Sequence, residues 1–446
     1  MGTGRTYLKR ADEQAHGVPT EVSSSVSDIL QRVREDGDAA IRELTRTYDD
    51  VDRDTLQVTA AERAAAEDHL SGAARRTIDN TIANVRSFHE EQRAHLAGFE
   101  TERTHGITLG TRLVPIDRVG VYVPGGRKPL VAAPAMTIVP AVVAGVGQVI
   151  ACAPPQADGT PDPAQVYAMD RAGADEIYVA GGAQAIGAMA YGTETVEPVD
   201  KVTGPGNVYV TEAKRQVFGH VSIDFLAGPT EVLVVADATA DPQLVAADLL
   251  AQAEHDPHAR AILVSTDLAL AEATRDAIEA QLPALATAET ARSSWEQNGE
   301  IVVVEERAHA AALANEYAPE HLQLMIDEPR ELVTSLRNYG SLFLGHHAPV
   351  VFGDKAIGTN HTLPTGSAAR HSGGISVMTY LKVLTHQELT ASGADTIAPW
   401  AAKICELEGT HAHQRSAEHR IRSTEARGLA RDLELTSAGI VELEDD

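Results

Sequence analysis

Apolar residues recur at helical spacing over the N-terminal part of the chain. Val22, Val26, Ile29 and Val33 begin an amphipathic stripe, and Ala40, Ile41 and Leu44 carry it past Gly37. Ala64 to His89 continues it with Ala, Arg and Glu. A period near 3.6 predicts helices over about residues 22 to 95, with no evident chemistry on them. From Val119 the pattern changes. Val119–Val123, Gln148–Ala153 and Glu176–Ala180 read as strands, alternating with helices that include Ala164–Ala172 and Ala183–Tyr191. A second series begins at Glu231–Ala236 and passes through a helix ending near His255. It continues with strands at Ala261–Val264, Glu300–Val304, Leu322–Ile326 and Ser341–Leu344. Helices at Leu268–Leu282, Ala308–Tyr317 and Arg330–Tyr339 fall between those strands. Such βαβ alternation predicts two consecutive doubly wound α/β units with parallel sheets. After Val351 the chain reads as loop-rich, and a helical, charged tail follows from about Trp400.

The expected organisation is a helical region at 1–117 packing on the second α/β unit, a first α/β unit at 118–230, a second at 231–350, and a segment at 351–446. At 446 residues several domains are expected, and hydrophobic residues at 43% suffice for their cores. Aromatics are only 4%, so those cores are built from Ala, Val, Leu and Ile. The net charge of −27 argues against nucleic acid or an anionic membrane as partner. Lys supplies only seven of the 37 cationic side chains, and so acidic a surface suits a halophilic setting where salt screens self-repulsion. Two cysteines, Cys152 and Cys405, make no disulfide framework, and no apolar run follows a basic N-terminus. A reducing, cytoplasmic location is the expectation. Val131–Val149 is apolar but broken by Pro and Gly, so no membrane span is expected.

Four stretches could carry chemistry. Gln252 and His255 are three apart at the end of a helix stopped by Pro257, so an amide oxygen and an imidazole share one side. They could form half of a Zn²⁺ site, or simply be a surface Gln and a helix-terminal His. Glu320 and His321 join a carboxylate to an imidazole between a helix and a strand, a pair suited to proton abstraction and water activation. Gly353–Gly366 is polar and glycine-rich, with Asp354 as a possible metal carboxylate and His361 as a possible substrate contact. Glu408–Ser416 contains His411 and His413, either solvated or completing a metal site begun elsewhere. Gln252, His255, Asp354 and one of these histidines would make four N/O ligands, which fits a catalytic ion better than a structural one. No G-x-G-x-x-G fingerprint sits between a strand and a helix. Gly181-Gly182-Ala183-Gln184 and Gly204-Pro205-Gly206-Asn207 are small-residue turns where backbone can approach a phosphate.

Several of these stretches occur together and in order: Val119–Gly126, Gly181–Ala185, Gly204–Asn207, Ala227–Glu231, Gln252–His255, Ala318–His321, Gly358–His361 and Glu408–His413. In that series the chain resembles the histidinol dehydrogenase family, from the helical N-terminus to about Arg420. The resemblance implies zinc ligands at Gln252, His255, Asp354 and His413 and an acid/base pair at Glu320 and His321. It implies substrate contacts at Thr230, His361 and Glu408, and NAD⁺ contacts at Tyr122, Gln184 and Asn207. It further implies a homodimer whose C-terminal segments cross, so that His413 and Glu408 enter the partner's site. The implied chemistry is a four-electron oxidation of a primary alcohol through a retained aldehyde, with two NAD⁺ in turn. A module that had kept only the fold would show damaged ligand positions, and none is damaged.

The chain also departs from the family pattern. After Pro124-Gly125-Gly126 stands Arg127-Lys128-Pro129, the Gly353-Asp354 pair is followed by Lys355-Ala356-Ile357, and Gly373-Gly374 is a further difference. These features look more like the subgroup that oxidises 2,3-dihydroxypropane-1-sulfonate (sulfopropanediol) to sulfolactate. A sulfonate wants cationic donors, and Arg127 and Lys128 would provide them. Sulfopropanediol is therefore the expected substrate, with L-histidinol the alternative.

Overall fold

The computed structural model describes residues 4–11, 19–125 and 129–435. In chain order the strands are β1 (Arg5–Lys9), β2 (Phe99–Thr104), β3 (Ile107–Pro115), β4 (Arg118–Tyr122), β5 (Gln148–Ala153), β6 (Glu176–Val179), β7 (Lys201–Thr203), β8 (Ser222–Ile223), β9 (Glu231–Ala236), β10 (Arg260–Ser265), β11 (Glu300–Val304), β12 (His321–Met325), β13 (Ser341–Leu344) and β14 (Leu381–Leu389). The α-helices are α1 (Thr20–Asp49), α2 (Ala60–His69), α3 (Gly72–Ala94), α4 (Ala133–Ala144), α5 (Pro163–Ala172), α6 (Gly182–Tyr191), α7 (Val208–Val217), α8 (Pro242–Ala253), α9 (Leu268–Gln281), α10 (Ala288–Asn298), α11 (Arg307–Tyr317), α12 (Val350–Lys355), α13 (Ala391–Glu408), α14 (His411–Glu418) and α15 (Thr424–Asp432).

Two units share these elements. The first comprises the described residues up to Arg93 together with Pro115–Tyr380, and the second Ala94–Val114 with the described residues from Leu381 on. In the first unit, one sheet has five parallel strands in the order β6-β5-β4-β7-β8. The other has the order β1-β11-β10-β9-β12-β13, parallel except for its edge strand β1. Both confirm the doubly wound α/β reading. Every residue of β9 is buried, as expected of a central parallel strand covered on both faces.

The N-terminal helices do not pack on the second sheet as expected. Val26, Leu30, Val33, Ile41 and Leu44 of α1 join the core formed by α6, α7 and the first sheet. The reason lies in small residues on α6: a Cβ on Gly187 would stand 3.1 Å from a Leu30 methyl and 3.3 Å from Val33, so the two helices approach closely only because that atom is missing. From the N-terminal region β1 joins the second sheet, pairing with β11.

Three local expectations also change. The helix read at Arg330–Tyr339 is a 3₁₀ turn, Pro329–Ser335, entered from Glu328 in the left-handed region and carrying β-branched Val333 and Thr334. The loop-rich stretch after Val351 includes α12 and, in the second unit, β14. The C-terminal helix begins at Ala391 rather than near Trp400, with the Thr390 hydroxyl accepting the Gly393 N–H as its cap. In the second unit β14, β3 and β2 form a small sheet, and Ala398, Ile421, Ala426 and Ala430 make a local core. β14 is exposed at most positions, so no alternation of apolar and polar residues marks it as a strand. No described helix is long and apolar enough to cross a membrane. Cys152 is buried, Cys405 is half-buried, and neither forms a disulfide.

Candidate active site

The candidate acid/base pair lies at the amino-terminal edge of the second sheet. His321 opens β12 and is in register with Val232, beside Glu231 at the start of β9. Parallel strands place the ends of the preceding helices at this edge, and α8 and α11 both finish there in sequence, just before β10 and β12. Helix C-termini carry partial negative charge, which favours a cation.

Side chains at this edge are linked in a chain. The Gln252 amide donates to Thr230 Oγ1 at 2.7 Å, and the Thr230 hydroxyl donates to Glu320 Oε2 at 2.5 Å. The Glu231 backbone N–H donates to the same carboxylate oxygen at 2.9 Å. With its nitrogen committed to Thr230, Gln252 has its amide oxygen turned the other way. The His321 Nδ1–H donates to the Glu231 carbonyl at 3.0 Å, so in the neutral ring the lone pair is on Nε2. That Nε2 lies 3.3 Å from Asp354 Oδ1, while Nδ1 lies 3.6 Å from Glu320 Oε2. Burial pushes Glu320 up to about 7, against the pull of His321. Burial works against charge on His321, but Glu320 and Asp354 outweigh it and hold its pKa at about 9. Asp354 is held down at about 2, because His321 outweighs the burial of its carboxylate.

Asp354 and His361 come from α12 and the loop after it. The His361 Nδ1–H donates to the Asp354 carbonyl at 2.7 Å, and burial lowers its pKa to about 4, so the ring is neutral with Nε2 as an acceptor. Asn360 pins the loop by donating to the Met136 carbonyl at 2.6 Å. Helix α3 holds the same loop from outside: Thr81 donates to the Lys355 carbonyl at 3.0 Å and Asn84 to the Ala356 carbonyl at 2.8 Å. Gly358, at φ +113°, lets the loop approach this helix, since a Cβ would stand 2.6 Å from the Asn84 carbonyl oxygen.

The donor chemistry fits a divalent cation. His321 Nε2 and Asp354 Oδ1 are both buried without a hydrogen-bond partner, although only 3.3 Å apart. Gln252 is buried with its oxygen facing away from Thr230. The His255 N–H donates to the Gln252 carbonyl at 3.3 Å, continuing the helical turn past α8. Neighbouring atoms crowd the His255 ring, lowering its pKa although one edge stays exposed, and it feels the charges of Lys355, Asp354 and His321. Among the described residues no three His, Cys, Asp or Glu side chains converge to hold a metal by themselves. The set here counts two such ligands and an amide, so at least one further ligand must come from elsewhere.

The three residues expected to contact NAD⁺ meet in one cavity of about 710 Å³. It opens at the carboxyl ends of the first sheet. Tyr122 ends β4, Pro154 follows β5, Gly181 follows β6, and Asn207 caps α7. The chain runs outward from β4 to β6, then crosses back to β7 on the other side of β4, so this is a topological switch point. The Tyr122 hydroxyl accepts the Gly182 N–H at 3.1 Å, and no side chain caps α6. Asn207 Oδ1 accepts the Tyr209 and Val210 N–H groups at 3.0 and 3.1 Å. The start of α6, whose N-cap is a glycine, suits a phosphate.

Glu408 and His413 lie in the second unit, at the end of α13 and in α14, and both are exposed. Arg127 and Lys128 lie outside the described residues. Thr230, expected to touch substrate, has its hydroxyl engaged by Gln252 and Glu320, so it joins the amide to the carboxylate. Glu231, Thr81 and Asn84 were not expected to matter. Glu231 had a signal, since it follows Thr230 in the Ala227–Glu231 motif, whereas Thr81 and Asn84 lie on a helix whose sequence carries none.

The model of the histidinol dehydrogenase family matches residues 12–421. A histidinol dehydrogenase homolog of Shouchella clausii is 44% identical over 421 residues, covering 93% of this chain and 98% of that protein. The histidinol dehydrogenase of Natronomonas pharaonis is 45% identical over 402 residues, covering 90% of this chain and 94% of its own. In structure, the histidinol dehydrogenase of Elizabethkingia anophelis superposes with a TM-score of 0.87 at 36% identity, over 93% of this chain and 94% of that one.

Proposed function

Because the chain belongs to the histidinol dehydrogenase family of oxidoreductases, we propose that it oxidises a primary alcohol to a carboxylate with NAD⁺, and that the alcohol is L-histidinol. The observation that carries the reaction type is the His321 ring set between Glu320 and Asp354, with a bare buried Nε2. The balanced reaction is RCH₂OH + 2 NAD⁺ + H₂O → RCOO⁻ + 2 NADH + 3 H⁺, through an aldehyde that stays bound.

Gln252, His255 and Asp354 would hold a zinc ion, which when bound acts as a Lewis acid toward the alcohol oxygen. In its neutral form His321 takes the hydroxyl proton at Nε2 as hydride leaves the carbinol carbon for the nicotinamide. Its Nδ1–H bond to the Glu231 carbonyl keeps the lone pair on the working nitrogen. Glu320 then removes a proton from water as that water adds to the aldehyde, and the hydrate loses the second hydride. The Thr230 hydroxyl and Glu231 N–H hold the carboxylate in place for that step. His361 Nε2 accepts a hydrogen bond from the substrate's cationic amine.

Histidinol is favoured over the sulfonate for two reasons. Relatives at 42–45% identity carry the histidinol name. The side chains gathered around His321 include Glu320 and Asp354, which suit a cation, whereas the sulfonate reading rests on sequence departures at Arg127-Lys128, Lys355-Ala356-Ile357 and Gly373-Gly374. NADH formation with histidinol and with sulfopropanediol, each with Zn²⁺ supplied, decides between them. Two NADH per histidinol is expected, and turnover of sulfopropanediol alone would overturn the reading.

The remaining ligand would come from a second copy of the chain. Ile397, Trp400, Ile404 and Leu407 form an exposed apolar stripe on α13, at 44 to 73% exposure, leading to Glu408 and His413. A homodimer that covers this stripe would deliver both residues to the partner's site. Co-expressing the inactive variants His255→Ala and His413→Ala tests this, because mixed dimers would regain one intact site. No recovery would count against it. We further propose that the acidic, Lys-poor surface needs high salt, which predicts loss of fold on dialysis to low salt.

A further inference from the structure

Helix α4 carries a proline in its interior. Pro140 is buried, and the helix continues past it to Ala144. A proline has no backbone N–H, so Pro140 cannot donate to the carbonyl of Met136 one turn earlier, and its ring crowds that carbonyl away from the helix axis. Met136 is fully buried, so water does not replace the lost donor.

A side chain from the active-site loop replaces it. Asn360 Nδ2 donates to the Met136 carbonyl at 2.6 Å, across 224 positions of sequence. Asn360 Oδ1 accepts the Thr362 N–H at 2.9 Å, so the same buried amide also shapes its own loop. Between these two residues stands His361, whose Nδ1–H donates to the Asp354 carbonyl at 2.7 Å. The His361 ring is therefore fixed from two sides, by the Asp354 carbonyl and, through Asn360, by the interior of α4. The next carbonyl of α4 receives an outside donor as well, the buried Tyr380 hydroxyl, which donates to the Thr137 carbonyl at 2.8 Å.

We propose that Pro140 is a positioning residue for the reaction: by withholding an N–H it keeps the Met136 carbonyl open to Asn360, and so holds His361 in place for the substrate. The consequence for the reaction rests on the reading that His361 meets the alcohol. Pro140→Ala supplies the missing N–H within the helix. Two donors then compete for one carbonyl. The helical donor is already placed by its own backbone, whereas the Asn360 amide must be ordered along with its loop, which costs conformational entropy.

The test compares Pro140→Ala, Asn360→Ala and the double variant with the wild-type protein. Hydrogen exchange is followed over residues 356–365, with urea unfolding and steady-state kinetics on histidinol alongside. Pro140→Ala should speed exchange over that segment by about five- to tenfold, the weight of one neutral hydrogen bond. It should raise KM for histidinol by a similar factor and keep KM for NAD⁺. Because Pro140 acts through Asn360, the same change should add nothing to the exchange or the KM of Asn360→Ala. There it restores a donor to a stranded carbonyl, so it should stabilise that variant more than it stabilises the wild type. A proline that merely packs would shift unfolding equally in both backgrounds and leave exchange and KM unchanged. That result overturns the proposal, and so does simple additivity of the two changes. Wild-type protein that turns over no histidinol would overturn the substrate reading instead, while the exchange data still decide whether Pro140 and Asn360 act together.

Discussion

The turn that carries Asn207 depends on a buried ion pair. Lys214 and Asp224 have side chains 3% and 0% exposed and are in direct contact. Asp224 also accepts the Gly204 N–H and the Phe225 N–H, each at 2.8 Å, and Lys214 donates to the Gly204 carbonyl at 3.0 Å. Gly204, at φ +119°, lies so close to β4 that a Cβ would strike the Tyr122 carbonyl. The pair thus pins the Gly204–Asn207 turn against the strand end that lines the cavity. Lys214→Met leaves a carboxylate buried without its counter-charge and a carbonyl without its donor. Breaking a buried pair in this way costs about 3–5 kcal/mol. The two backbone N–H groups that still face Asp224 put the expectation at the lower end, about 3 kcal/mol. Asp224→Asn on top of Lys214→Met removes the stranded charge and should recover about 2 kcal/mol, so the two changes are non-additive. Urea unfolding of the single and double variants at one salt concentration measures the coupling, and NAD⁺ binding measures the turn. A single-variant cost below about 1 kcal/mol, or simple additivity, would refute the claim that the pair acts as a unit.

Glu320→Gln keeps an oxygen for Thr230 and Glu231 but loses the base, so kcat should fall by about 10²- to 10⁴-fold while stability is kept or rises. Activity assays with urea unfolding in parallel check both halves. Removing the clamp from α3 with Thr81→Ala/Asn84→Ala should weaken Zn²⁺ binding by about tenfold, read by competition with a chelator, because the loop after Asp354 loses its outer support. The Arg53 guanidinium, above all, holds Glu62 down at about 2 against an ordinary 4.5. A lowered folded pKa stabilises above the unfolded pKa and is lost as pH falls through the folded one. Solvent reaches 29% of the Glu62 side chain, which reduces the full linkage to about 1–2 kcal/mol. That contribution should be present at neutral pH and disappear between about pH 4.5 and 2, and Glu62→Gln should flatten the pH dependence of unfolding over that window.

What could be read from the sequence, and what could not, divides on the range of the forces involved. The α/β series was legible because each buried strand is a local run of apolar residues, as in Val232–Ala236, where all positions are buried. The sheet of β14, β3 and β2 was not, because β2 (Phe99–Thr104) and β14 leave most positions exposed, so pairing rather than patterning forms them. Chemistry-bearing residues stood out because adjacent or closely spaced acids, amides and imidazoles are rare in a core. Supporting residues did not stand out. Thr81 and Asn84 act on a loop some 270 positions away, and nothing local distinguishes them from other polar residues on an exposed helix face.

On the proposed function the two sheets of the first unit would use opposite edges, and helix direction explains how one fold could do both jobs. In a parallel α/β layer each helix begins near the carboxyl end of the strand before it and ends near the amino end of the strand after it. Carboxyl edges therefore gather helix N-termini and partial positive charge, and the cavity lined by Tyr122, Gln184 and Asn207 sits at such an edge, where a dinucleotide's phosphates would be stabilised although no Lys or Arg is among the described lining residues. Amino edges gather helix C-termini and partial negative charge. Gln252 at the end of α8 and His321 at the start of β12, just after α11, sit at such an edge, where a cation is favoured. A fold-level rule that places ligands at carboxyl ends accounts for the first site and misses the second. The second is found from the charge such a site would hold: the proposed metal ion and cationic alcohol would both belong at the negative ends of helices.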